Sequence, residues 1–239
     1  MDEAAVQVQW RPVGVHPPAP APARGSVPAS APGGSGFAVS ASGRLVAFRG
    51  QDAAAGDPGP GPHGTTVIGI AGQADRDRAR RAIRAAILAE LGTLSGLPPE
   101  RIALHADPGE APYALLGAPE GRRQVWLAIS HDGELSVAAI SLHGAVGIDV
   151  TRIADIPDWE PVARDYLGPQ VATALAAMNP PTRGAALARA WSEREARLKC
   201  LGWPIAEWNP EAETMLQACR CSALVLPDGY AGALALPPR

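Results

Sequence analysis

Three residues of one predicted helix place an aromatic ring, a carboxylate and an ammonium on a single stripe. Trp191, Glu195 and Lys199 stand four apart, and at 3.6 residues per turn that spacing lines them along one helical face. A Glu–Lys pair at this spacing is ordinarily a solvated surface contact. Here the tryptophan draws the stripe toward a packed surface, and Lys199 is the only lysine among 21 lysines and arginines. In a chain so biased toward arginine, a retained lysine suggests a need for a compact ammonium that a planar guanidinium cannot imitate. Chance survival is the alternative.

A second carboxylate stands on a different element. Gly147-Ile148-Asp149-Val150 reads as a strand, and side chains alternate along a strand, so if Ile148 and Val150 face the core, Asp149 faces away from it. One carboxylate from a strand and one from a helix make an oxygen site suited to magnesium, which also binds phosphate oxygens. A cap or turn role for Asp149 is the plainer reading. A third group precedes both: Leu127–Ser130 runs out as a strand into His131-Asp132-Gly133, where Asp-Gly marks a turn. Ser130 and His131 would there offer a hydroxyl and an imidazole to a phosphate, unless they are simply part of a hairpin.

The elements that must position these groups begin at Thr65. Residues 1–64 are rich in Pro, Gly and Ala, a composition that buries little apolar surface and favours loops or extended coil. Strand-like patches at Val6–Trp10 and Phe37–Phe48 could add edge strands. Val67–Ala71 then predicts a buried strand and Ala74–Leu94 a helix, with Ile83, Ile87, Leu88 and Leu91 at helical spacing. Strands are predicted at Ile102–His105, Val125–Ser130 and Leu135–Ser141. The order then repeats. Val146–Val150 predicts a strand, Val171–Met178 a short helix and Thr182–Leu201 a long one, with strands around Leu216–Ala218, Ala223–Leu226 and Tyr230–Leu236. Strand, helix and three strands, twice over, predict two similar α+β halves, 65–143 and 144–239, about a pseudo-twofold axis, with a ligand cleft between them.

Bulk properties narrow the function classes. At 239 residues and net charge −3, the chain lacks the positive field of a general nucleic-acid binder. No apolar run reaches the length of a membrane span, and no basic start leads into an apolar core, so a cytoplasmic protein is expected; a monomer is expected as well. Cys200, Cys219 and Cys221 form neither a zinc pattern nor an even disulfide framework and read as reduced thiols.

Taken in register, Ser130-His131, Gly147-Ile148-Asp149 and Trp191-Ser192-x-x-Glu195-Ala196-x-x-Lys199 closely resemble the surfactin-type 4'-phosphopantetheinyl transferases. The resemblance runs from about Thr65 to Pro237, and it implies the family fold of two α+β halves in one chain. It further implies Mg2+ on Asp149 and Glu195, with Thr151 at the position where the family usually has another acid. Glu195, or a water it orients, would take the proton of the attacking serine, and Lys199 would contact phosphates near the reaction centre. Ser130 and His131 would hold phosphates of coenzyme A. The arginines of the first helix (Arg78, Arg80, Arg81 and Arg84) lie where the family places basic groups for the 3'-phosphate. The family's Gly-Lys-Pro near the adenine is here Gly109-Glu110-Ala111-Pro112, which keeps Pro112 and lacks the lysine.

The implied reaction moves the phosphopantetheine arm of coenzyme A onto a serine of an acyl or peptidyl carrier protein, which Arg152, Arg164 and Arg183 could face. An inactive relative that still binds carrier protein or coenzyme A is the rival reading. A magnesium phosphohydrolase would normally cluster more carboxylates than these two.

Overall fold

The computed structural model describes residues 64–72, 75–107 and 109–238, with the backbone of residues 6, 7, 9 and 10. The predicted patch Phe37–Phe48 and most of the 1–64 segment lie outside the described residues. Ten strands are assigned among those described: β1 (Val6–Gln7), β2 (Gln9–Trp10), β3 (Thr65–Ile70), β4 (Ile102–His105), β5 (Tyr113–Leu116), β6 (Arg123–Asp132), β7 (Leu135–Ser141), β8 (Gly147–Arg152), β9 (Arg220–Val225) and β10 (Tyr230–Leu236). They form a six-stranded sheet in the order β2-β3-β7-β6-β5-β4 and a four-stranded sheet in the order β1-β9-β10-β8. The helices are α1 (Arg76–Ser95), α2 (Trp159–Val162), α3 (Pro169–Ala176), α4 (Pro180–Leu201) and α5 (Pro210–Ala218).

Helix α1 forms where the sequence supplies both ends. The Asp75 side chain accepts from the Arg78 amide at 2.7 Å, and Gly96 closes the helix in the left-handed conformation, which a residue without Cβ adopts cheaply. Ile83, Ile87 and Leu91 are buried against the six-stranded sheet with Ile68, Leu127 and Ile140. The opposite face of that sheet, through Ala128, Leu135, Val137 and Ala139, packs on Ile148, Val150, Leu224 and Leu234 of the second sheet. Helix α4 covers the far side of the second sheet, with Ala196 and Cys200 against Ala233 and Ala235. The order of layers is therefore helix, sheet, sheet, helix. None of the described helices is long and apolar enough to cross a membrane.

The two halves share a mixed α+β build but differ in strand count. The first contains β5, which the sequence pattern did not single out. In the second, the strand expected around Leu216–Ala218 is the end of α5. Asn209 accepts from the Ala212 amide at 2.8 Å, Pro210 stands in the first turn, and Glu211 and Glu213 meet the positive end of the helix. These start signals outweigh the apolar run, whose Leu216 is buried from the helix.

Small residues bring α4 onto β8. A Cβ at Gly147 would overlap the Ala196 carbonyl oxygen and lie 2.6 Å from the Cys200 amide nitrogen. Both α4 positions adjoin site residues, Ala196 following Glu195 and Cys200 following Lys199. The approach at Gly147 thus sets the register that brings the helical stripe to Asp149, two residues further along the same strand face. We expect Gly147→Ala to destabilise the fold by about 2 kcal/mol or more, since neither backbone group can give way without moving α4. A denaturant midpoint equal to that of the native chain would show that α4 can shift freely.

Candidate active site

Alternation along β8 decides where Asp149 points. Ile148 and Val150 enter the core between the sheets, while Asp149 and Thr151 line a cavity of about 450 Å³. Asp149 is only 3% exposed, and a buried carboxylate is costly unless its oxygens are satisfied. Here donors reach both. The Lys199 ammonium lies 2.6 Å from Asp149 Oδ1, the Ser130 hydroxyl donates to the same oxygen at 2.7 Å, and Thr151 donates to Oδ2 at 3.1 Å.

Lys199 also lies 3.4 Å from Glu195 Oε2, so one ammonium bridges the strand carboxylate and the helix carboxylate. The other Glu195 oxygen, Oε1, accepts from the Trp191 indole N–H at 2.7 Å. Tyr166 meets the Trp191 ring edge-on at 5.8 Å between centroids. The tryptophan of the stripe is thus packed on its ring and bonded at its nitrogen. Burial, and then the neighbouring Asp149 carboxylate, raise the Glu195 pKa; Lys199 and the indole N–H work against this rise. Two carboxylates share one ammonium, and the excess negative charge is what a further cation would relieve.

His131 lines the same cavity and its Nδ1 lies 2.9 Å from Ser136 Oγ. Arg76 and Arg80, from the start of α1, are also in the lining. Arg76 carried no expectation, and spacing does not single it out: Arg76 and Arg80 stand seven and three residues before Ile83, but Arg84 stands at the same spacings before Leu91 and Ile87. Arg84 is exposed and absent from the lining. Pro112 is not in the lining either; its carbonyl accepts from the Leu127 amide at 3.1 Å.

Of the other arginines, Arg164 pairs with Asp165 at 3.0 Å. Arg183 lies 4.4 Å over the Trp159 ring and donates to the Leu175 and Met178 carbonyls, so its guanidinium is committed to local structure. Arg152 is exposed at the end of β8. Cys200, Cys219 and Cys221 form no disulfide, and burial above all pushes the Cys200 thiol up to about 12, which keeps it protonated and unreactive.

One polar seam joins the sheets at the site. Among the described residues β8 is an edge strand, and none of them forms a strand that pairs with it on its open side. Side chains from β6 take that place: Ser130 Oγ accepts from the Val150 amide at 3.3 Å and Asp132 Oδ2 from the Arg152 amide at 2.6 Å.

Residues 145–220 match the model of the 4'-phosphopantetheinyl transferase superfamily. That span contains β8 and α4, and with them Asp149, Thr151, Trp191, Glu195 and Lys199. The chain is also 27% identical over 94 residues to a Synechocystis sp. protein provisionally named 4'-phosphopantetheinyl transferase slr0495. The alignment covers 38% of the chain and 38% of that relative. The superfamily match and the mixed α+β fold agree with the class expected from the three motifs.

Magnesium, implied by that likeness, can be tested against the donors present. Asp149, Glu195 and Thr151 all line the cavity, and each carries side-chain oxygen, the ligand chemistry that a small hard cation requires. The set is sparse: among the described residues, no group of three or more His, Cys, Asp or Glu is arranged to hold a metal ion. Two carboxylates and a hydroxyl suit a cation that draws its remaining oxygens from water and a phosphate substrate.

Proposed function

We propose that the chain transfers the 4'-phosphopantetheine arm of coenzyme A to a serine hydroxyl of an acyl or peptidyl carrier protein. The observation that carries this reading is the meeting of Asp149, Glu195 and Lys199, from two elements, in a cavity that Arg76, Arg80 and His131 also line. Phosphoryl chemistry depends chiefly on positioning and on neutralising the charge of the transferring group. Magnesium, held by Asp149 and Glu195 with Thr151 beside them, would supply charge neutralisation at the pyrophosphate.

The remaining work falls to the chain. Lys199 contributes a mobile point charge that can turn from the carboxylates to a phosphate oxygen. Arg76, Arg80 and His131 offer donors to the other phosphates of coenzyme A. Glu195, whose pKa is raised by burial and by Asp149, takes the proton of the attacking serine. The serine oxygen bonds to the β-phosphorus as the bond to the departing oxygen breaks, and 3',5'-ADP leaves. The deciding experiment is mass spectrometry of an apo carrier protein incubated with the chain, coenzyme A and magnesium. A mass gain of one phosphopantetheine supports transfer, and an unchanged carrier at every magnesium concentration rejects it.

The sparse acid set favours a second reading, a relative that binds coenzyme A or a carrier without turnover. Thr151 separates the two. Because its hydroxyl already donates to Asp149, a carboxylate at this position would stand beside the same site and add an anionic oxygen. Thr151→Glu should lower the magnesium needed for half-maximal transfer several-fold, since hard cations gain affinity with ligand charge. A magnesium titration at saturating coenzyme A reads this directly. An unchanged requirement would mean that position 151 does not face the metal.

A further inference from the structure

We propose that Ser136 is a positioning residue for His131, holding the imidazole so that Nε2–H is the donor it offers to a phosphate oxygen of coenzyme A. The inference rests on the transferase reading and adds to it a residue outside the three motifs. Between Leu135 and Ile140 of β7, Ser136 is the only polar side chain, and the strand is buried throughout. Ser136 itself is 1% exposed, and a hydroxyl in such a place is costly unless it is bonded. In register, it lies opposite Ile70 on β3 and opposite His131 on β6. Ile70 offers nothing to bond; His131 Nδ1 lies 2.9 Å from the Ser136 Oγ.

That pairing settles which nitrogen does what. A serine hydroxyl has one proton, and a neutral imidazole has one donor nitrogen and one acceptor nitrogen. Were Nδ1–H to donate to Ser136, the hydroxyl proton would have no acceptor among the described residues, where water has little access. Ser136 therefore donates to Nδ1, and the ring proton sits on Nε2. That nitrogen lies across the ring, has no hydrogen-bond partner among the described residues, and belongs to a side chain that lines the cavity. The backbone around His131 is held separately. Asp132 Oδ2 accepts from the Arg152 amide at 2.6 Å, and the Tyr230 hydroxyl oxygen accepts from the Glu134 amide at 3.3 Å. With the β6–β7 turn tied to the second sheet in this way, the freedom left is rotation of the imidazole about its side-chain bonds. The Ser136 hydroxyl removes it. The contact survives ligand binding, because it uses the nitrogen turned away from the phosphate.

The test uses the full chain and needs no turnover. Coenzyme A is titrated calorimetrically, in the presence of a chelator, into the native chain, Ser136→Ala, His131→Ala and the double variant. Ser136→Ala should weaken binding by about 5-fold or more, the effect of roughly one net hydrogen bond. Added to His131→Ala, the same change should cost less than about twofold further, since a residue that acts through another then has nothing left to position. Ser136→Cys, with a weaker donor at the same place, should fall between the native chain and Ser136→Ala, and it carries the cycle if Ser136→Ala fails to fold. Nitrogen NMR of the free chain, with the His131 signals assigned by their loss in His131→Ala, reads the ring directly. Neutral His131 should show a protonated Nε2 and a hydrogen-bonded, unprotonated Nδ1, and the Nδ1 signal should move toward that of an unbonded nitrogen in Ser136→Ala. Equal losses from Ser136→Ala with and without His131, no loss in either background, or a protonated Nδ1 in the neutral native ring would overturn the proposal. A native chain that binds no coenzyme A would overturn it together with the transferase reading. Unmodified carrier protein beside an intact coupling would reject the transferase reading alone, because the cycle requires binding and no transfer.

Discussion

Asp149→Ala and Glu195→Ala should each reduce transfer to a carrier protein by at least about 100-fold, a loss of the size seen when one electrostatic support of a transition state is removed. The two acids come from β8 and α4, and no other His, Cys, Asp or Glu joins them in a ligand group among the described residues. Neither can therefore be replaced by a neighbour. The fold should survive both changes. Without Asp149, Lys199 keeps Glu195 at 3.4 Å and remains part-exposed to water. Without Glu195, the stronger contact of Lys199 to Asp149 at 2.6 Å persists. Single-turnover transfer measured by mass spectrometry, beside a thermal melt of each variant, checks the prediction. Near-native transfer by either variant would remove that residue from the site.

Lys199→Arg should be nearly as damaging to transfer as Lys199→Ala, with both falling at least about 100-fold. The Lys199 nitrogen lies 2.6, 3.3 and 3.4 Å from oxygens of Asp149, Ser130 and Glu195. A tetrahedral ammonium can reach three oxygens set around a point; a planar fork of greater width donates in one plane and cannot meet all three. The two variants should differ in stability. Lys199→Ala leaves the Asp149 carboxylate buried with hydroxyl donors alone, and removing one partner of a buried ion pair costs about 3 kcal/mol or more. The side chain of Lys199 is 32% exposed, so water entering the gap offsets part of that cost. Lys199→Arg keeps a positive charge and should melt closer to the native chain. Full transfer by Lys199→Arg would reduce the solitary lysine to an accident of composition.

Local sequence carried the parts of this site that depend on the period of one element. The four-residue spacing of Trp191, Glu195 and Lys199 places them on one face of α4 wherever that helix packs, and the indole N–H reaches Glu195 within the helix itself. Alternation along Gly147–Val150 turns Asp149 away from Ile148 and Val150. The apolar stripe Ile83, Ile87 and Leu91 of α1 follows from the same kind of regularity, as do most of the strands.

Contacts between distant elements were beyond such periods. Nothing local states that Lys199 bridges both carboxylates, because that depends on how closely α4 approaches β8, and the approach is set by Gly147 against Ala196 and Cys200. The arginines of α1 look alike in sequence and all three of Arg76, Arg80 and Arg84 are exposed, yet docking on the six-stranded sheet brings only Arg76 and Arg80 to the cavity lining. The apolar run at Leu216–Ala218 suits either a strand or a helix, and the Asn209 cap with burial of Leu216 decides for the helix. Ser130 presents a hydroxyl at any strand end. Only the edge position of β8, with an amide in need of an acceptor and a buried carboxylate in need of a donor, commits that hydroxyl to Asp149 and Val150. Periodicity is a property of one element, whereas the satisfaction of buried charge and of unpaired amides is settled where elements meet.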